Sequence, residues 1–218
     1  MTQLTNIPLP IKLMKRYILL LVLLAVNTAF CQETESKEKE QKAKRDFRFE
    51  PSGRIKIIYP LQFGDYSLSK AHTSNVGAGW SLSFFNYKNF RFSPGFDWVQ
   101  YKVTDHELVG NFNASVYNSF HGTISYEIPV TESFSVLPDL GFGYVMVNQK
   151  TSNHKFGTQE GNEIRAGFTA DYKTNKFLTL FISARFIHTN LNMETDPAYE
   201  DFYGKANQIQ LALGLKLN

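Results

Sequence analysis

In eight separate stretches between Ser52 and Asn218, apolar side chains recur at every second residue. A repeat of two puts alternate side chains on opposite faces of a strand, and no helix accommodates it. Such a chain needs one medium for its apolar face and another for its polar face. The last stretch is the cleanest: Ile209, Leu211, Leu213, Leu215 and Leu217 oppose Gln208, Gln210, Ala212, Gly214 and Lys216. The first sets Ile55, Ile57, Tyr59, Leu61 and Phe63 against Arg54, Lys56, Ile58 and Gln62. The least regular places Leu178, Leu180, Ile182, Ala184 and Phe186 on its apolar face.

The connections alternate in length. Tight turns are expected around Lys88 and Asn89, around Thr131, Glu132 and Ser133, and around Thr174 and Asn175. Longer polar connections are expected near 64–74, 102–110, 148–162 and 190–206. All tight turns then fall at one end and all long loops at the other. An even strand count with that asymmetry marks an outer-membrane barrel. The expected fold is therefore all-β: an eight-stranded antiparallel up-and-down transmembrane β-barrel over residues 52–218.

Alternation alone leaves the sides open, because a soluble lipocalin-like barrel also alternates, with its apolar face inward. The other face decides. It is rich in Gly77, Gly79, Ser81, Ser83, Gly95, Gly141, Gly143, Gly167 and Gly214, which suit a crowded lumen better than a solvated surface. Its charges have both signs: Arg54, Lys56, Arg91, Arg165, Arg185 and Lys216 with Asp97, Glu127, Asp139, Glu163 and Asp171. Opposed ions can pair inside a lumen, whereas an Arg facing mid-bilayer lipid costs about 2–4 kcal/mol. This set is expected to form a lumen charge network.

The N-terminus reads as a secretory signal over residues 1–31. Lys12, Lys15 and Arg16 precede a ten-residue apolar run, Tyr17 to Val26. That is about half the length a spanning helix needs. Ala29 and Cys31 then sit at −3 and −1 of a cleavage before Gln32. Lipidation of Cys31 would call for a small residue before it, and Phe30 is not small. Residues 32–51 are expected to be a charged periplasmic linker, with Glu33/Lys37 and Glu40/Lys44 among its i,i+4 pairs.

Three of the 23 basic residues lie in the signal, which has no acid, so the remainder carries 20 bases against 20 acids. No basic excess is left to neutralise nucleic-acid phosphates. His72, His106, His121, His154 and His188 are scattered without ligand spacing, so no metal or cofactor site is expected. His188-Thr189-Asn190 superficially resembles the H-x-S-N motif of lipid A deacylases, but lacks its serine.

The TAFCQ that ends the signal, the hairpin from Tyr126 to Tyr144 and the closing IQLALGLKLN carry a wider resemblance. The chain is similar to the small outer-membrane barrel group of Gram-negative bacteria, the OmpA transmembrane domain, OmpX and OmpW-like porin family. It departs from that group in ending on Leu217 and Asn218 rather than on an aromatic residue. The resemblance implies outer-membrane lipid and the barrel-assembly machinery as partners, and a periplasmic N-terminus. It implies a non-enzymatic envelope protein with a filled lumen, acting in envelope architecture or by binding an extracellular ligand through its loops. A narrow pore for small solutes and a lipid A-modifying enzyme using His188 are the alternatives. The candidate loop contacts are Asp196, Tyr199, Glu200, Asp201 and Tyr203, an acidic and aromatic set.

Overall fold

The computed structural model describes residues 47–151 and 154–218. The expected signal (1–31) and most of the expected linker lie outside the described residues. The strands are β1 (Phe47–Phe63), β2 (His72–Ser74), β3 (Gly77–Tyr87), β4 (Phe90–Val103), β5 (Ala114–Tyr126), β6 (Ile128–Pro129), β7 (Phe134–Thr151), β8 (His154–Lys173), β9 (Leu178–Asn192) and β10 (Lys205–Leu217). Among the described residues there are also three short helices: α1 (Ser67–Lys70), α2 (His106–Val109) and α3 (Pro197–Gly204).

Eight long strands form an antiparallel ring in which β1 pairs with β3 on one side and β10 on the other. Closure removes every sheet edge from the wall. The short β2 and β6 add to β4 and β7. The apolar rows face outward: Ile57, Leu140, Ile164 and Leu213 are each 60% or more exposed. The opposing rows point inward, where Lys56, Asp97, Glu163, Arg165 and Gln208 are buried. A closed wall with a greasy outside and an ionic inside is a transmembrane barrel.

The tight turn at Lys88 and Asn89 is present, with φ of 50° and 69° at its two residues. Two successive left-handed residues fit the right-handed twist of the flanking strands. Asn86 Oδ1 accepts from the Asn89 backbone N–H at 2.9 Å, closing the turn.

Three boundaries differ from those expected. β1 begins at Phe47, ahead of Ser52, and pairs with Tyr87 and Phe85 of β3 before a register shift between Phe49 and Ser52. Pro51 sits in that shift, where a residue without an N–H is tolerated, and it hides the alternation on either side. The connection expected at 148–162 is mostly strand: β7 and β8 continue past the wall, with Asn148 opposite Thr158 and Thr151 opposite His154. Beyond the bilayer both faces of a hairpin are wet, so no apolar row marks it. The connection expected at 190–206 contains α3, capped by Asp196 and begun by Pro197.

In β3 the register shifts between Ser81 and Asn86, leaving both Phe84 and Phe85 outside. Phe47 and Phe49 lie 5.3 and 5.6 Å from Phe85, building an aromatic patch at the end where the tight turns lie. Rings at that height sit at the membrane–water boundary.

Candidate functional site: the ionic lumen and the outer loops

The charged residues of the lumen come together in layers. In the central layer, Arg165 reaches Glu163 at 2.5 Å and Asp97 at 3.1 Å. Lys56 Nζ reaches the other oxygen of Asp97 at 2.7 Å. Glu163 also accepts from Ser119 Oγ at 2.6 Å and from the Tyr117 hydroxyl. The side chains of Asp97, Glu163 and Arg165 have no exposed surface.

Toward the turn end, Arg185 holds Asp139 through both of its oxygens at 2.8 and 2.9 Å and donates to Thr169 Oγ1. Arg54 binds Asp171 at 2.7 Å, with Lys216 Nζ 3.8 Å from the same oxygen. At the mouth, Arg91 joins Glu127 at 2.8 Å and Glu50 at 2.7 Å. Glu50 falls within the expected linker, yet it supplies an ion pair to the lumen. With Glu50 counted, the six cations Arg54, Lys56, Arg91, Arg165, Arg185 and Lys216 meet six carboxylates, Glu50, Asp97, Glu127, Asp139, Glu163 and Asp171. Charge balance matters here, because an unpaired ion in a low-dielectric interior costs several kcal/mol.

Small residues make room for this set. A Cβ on Gly79 would lie 2.2 Å from Asp97 Oδ1 and 2.7 Å from Lys56 Cε. A Cβ on Gly214 would lie 2.6 Å from Phe181 Cζ. Phe181 points inward and stacks under the Arg54 guanidinium, 5.1 Å from its ring centre. Sequence reasoning missed Phe181 because an inward aromatic breaks the rule that polar faces in.

Above the ionic layers, the lumen is capped by Ile58, Val99, Tyr101, Tyr117, Val145, Val147 and Ala206, with Leu68 of α1 packed on top. Tyr101 donates to Gln208 Oε1 at 2.7 Å across the lumen. Cavities of about 40 and 20 Å³ lie on either side of the central layer. A single water needs about 10–15 Å³ of such space, so each holds a few waters at most. The buried central layer divides the lumen between them.

At the loop end, His72 Nδ1 lies 3.1 Å from the Ser67 carbonyl and Nε2 lies 2.9 Å from Ser115 Oγ. A carbonyl only accepts, so Nδ1 donates and Nε2 accepts the serine hydroxyl. Burial pushes the His72 pKa down, which favours this neutral ring. The pair ties β2 and α1 to the wall at β5.

The candidate loop residues have unequal freedom. Asp196 caps α3 by accepting from the Ala198 N–H at 2.9 Å. Asp201 is paired with Lys205 at 2.6 Å, and Tyr203 donates to the Leu108 carbonyl at 2.7 Å. Tyr199 and Glu200 remain exposed on the outer face of α3. His188 Nδ1 contacts Asn207 Oδ1 at 2.7 Å. Thr189, the next residue, turns inward to the Tyr117 hydroxyl at 3.2 Å. Adjacent strand residues face opposite sides, so His188 and Thr189 cannot act as base and nucleophile. Among the described residues, no group of three or more His, Cys, Asp or Glu could hold a metal ion.

No family model matches the chain, and a comparison with curated proteins finds no match. Solved structures do match. Neisserial surface protein A aligns with a TM-score of 0.52 at 10% identity, covering 77% of this chain and 96% of that one. The N-terminal β-barrel domain of Pseudomonas aeruginosa OprF aligns with a TM-score of 0.43 at 11% identity, covering 78% and 99%. Ail, the attachment invasion locus protein of Yersinia pestis, aligns with a TM-score of 0.40 at 12% identity, covering 77% and 99%. At such identities the likeness is one of fold. Closed ring, outward apolar rows and the likeness to Neisserial surface protein A together give the chain the fold of the small eight-stranded outer-membrane β-barrels.

Proposed function

We propose that this is a non-enzymatic outer-membrane barrel protein with a periplasmic N-terminus and a lumen closed by ion pairs. It contributes to envelope architecture and meets external partners through its outer loops, with Tyr199 and Glu200 of α3 the accessible part of the contact set. The orientation follows from the tight turns, which lie at the same end as Phe47; short turns are periplasmic in such barrels. Insertion would use the barrel-assembly machinery and outer-membrane lipid.

One observation carries the reading: Asp97, Glu163 and Arg165 fill the middle of the lumen without exposed side-chain surface. A water-filled pore would leave its lining wet. This weighs against the narrow-pore alternative, as the opposite facing of His188 and Thr189 weighs against a lipid A-modifying enzyme.

The test is conductance in planar bilayers. Purified, heat-modifiable barrel is expected to give no steps above background. An Arg165→Ala/Glu163→Ala variant, which empties the central layer, is expected to leak. Steady single-channel steps from the native chain would restore the pore reading.

A further inference from the structure

The ion pairs that balance the middle of the lumen leave the mouth at the turn end out of balance. A cup of about 490 Å³ opens there, where the cationic side chains of Arg48, Arg91, Lys173, Lys176 and Lys216 outnumber the carboxylate side chains of Glu50 and Glu127, with Asn218 also in the lining. Both carboxylates are already engaged by Arg91, and Glu50 also by Arg48. Among the described residues, Lys173 and Lys176 pair with no carboxylate, and Lys216 has only Asp171 at 3.8 Å.

The position of the lysines says which anion suits them. Lys173 ends β8 and Lys176 lies in the turn to β9, flanked by Tyr172 and Phe177. Tyr172 is 55% and Phe177 75% exposed, both high for aromatic rings and both suited to the membrane boundary. A ligand seated on this turn would thus meet ammonium groups beside greasy rings. That is the chemistry of a phospholipid: a phosphate on a headgroup above an acyl chain. Guanidinium and ammonium donors together favour phosphate oxygens. Lys216 lines the same cup.

We propose that the periplasmic mouth binds the phosphate of an anionic phospholipid headgroup, held by Lys173, Lys176 and Lys216, with the acyl chains lying against Phe177. The name of the leaflet rests on the orientation proposed above, but the binding does not.

The experiment uses the full mature chain folded in neutral detergent and mixed with equal amounts of phosphatidylglycerol and phosphatidylcholine. Lipid retained through native mass spectrometry is then compared. The native chain is expected to keep phosphatidylglycerol over phosphatidylcholine by at least about fivefold, a preference that falls toward one in Lys173→Gln/Lys176→Gln/Lys216→Gln. Lys102→Gln/Lys150→Gln, at the loop end, is expected to leave it unchanged. Heat-modifiability checks that each variant folds. Should Lys216→Gln prevent folding, Lys173→Gln/Lys176→Gln on the exposed turn carries the test alone. Equal retention of the two lipids by the native chain, or the same preference in the turn variant, overturns the proposal. Pyrophosphate, added as a soluble competitor, is expected to displace the lipid; calorimetric binding of pyrophosphate without any lipid preference assigns the cup to a soluble anion and overturns the lipid assignment. Conductance is read separately, so a leaking barrel and a cup without lipid preference are distinct failures.

Discussion

Replacing Arg165 by Met is expected to destabilise the folded barrel by about 3–5 kcal/mol, seen as a lower urea midpoint in lipid vesicles. Arg165 is the cation shared by Asp97 and Glu163, at 3.1 and 2.5 Å. Met fills much of its volume but neutralises neither carboxylate. Asp97 keeps Lys56, while Glu163 keeps only the hydroxyls of Tyr117 and Ser119. The lumen then holds one more anion than cation, at a place without exposed side-chain surface. Changing Glu163 to Gln in the same chain removes the orphaned charge and is expected to recover more than half of the loss. A double variant no more stable than the single one would mean that volume, rather than pairing, was lost.

Leu213→Arg is expected to cost about 2–4 kcal/mol, because the side chain faces the middle of the lipid belt. Leu213 is 60% exposed and stands opposite Ile57 of β1 and Ile182 of β9, both also outward. The same change at Leu217, at the strand end, is expected to cost about 1 kcal/mol or less, since the guanidinium reaches the headgroups. The same ring standing in water instead of lipid would give a different contrast. An outward Leu there would already be solvated, and Arg would cost nothing at either position. Equilibrium unfolding in vesicles of the two variants beside the native chain measures the difference.

The wall was readable in the sequence because the bilayer imposes one rule on every strand. Rows such as Leu211, Leu213 and Leu215 lie outside, and Gln208, Gln210 and Lys216 lie inside, as their alternation implied. The rule stops where the bilayer stops. The long hairpin through Asn148 and Thr158 carries no apolar row, so it resembled a loop. Pro51 interrupts the row that would show β1 reaching back to Phe47, so in sequence Glu50 looks like part of the linker.

The lumen was legible only as a composition. Opposed charges and glycines implied a filled interior, but not that Arg165 bridges β4 and β8 or that Lys56 shares Asp97. Those partners lie far apart along the chain, and register alone brings them together. The apolar cap of Val99, Val145 and Val147 was hidden for a different reason. Near the loop end the interior is dry enough to take valine, so the inward face there resembles the outward one. Charge singles out the loop residues in sequence, but caps and ion pairs use Asp196 and Asp201 in shaping α3.

The assignment of sides can be measured directly on the native chain, which has only two tryptophans, Trp80 and Trp98. Both face outward, with 46% and 37% of their surface exposed. In vesicles whose acyl chains carry bromine, their fluorescence is expected to be strongly quenched, while aqueous iodide leaves most of it intact. Emission indifferent to brominated lipid but quenched by iodide would put these rings in water and contradict the membrane account.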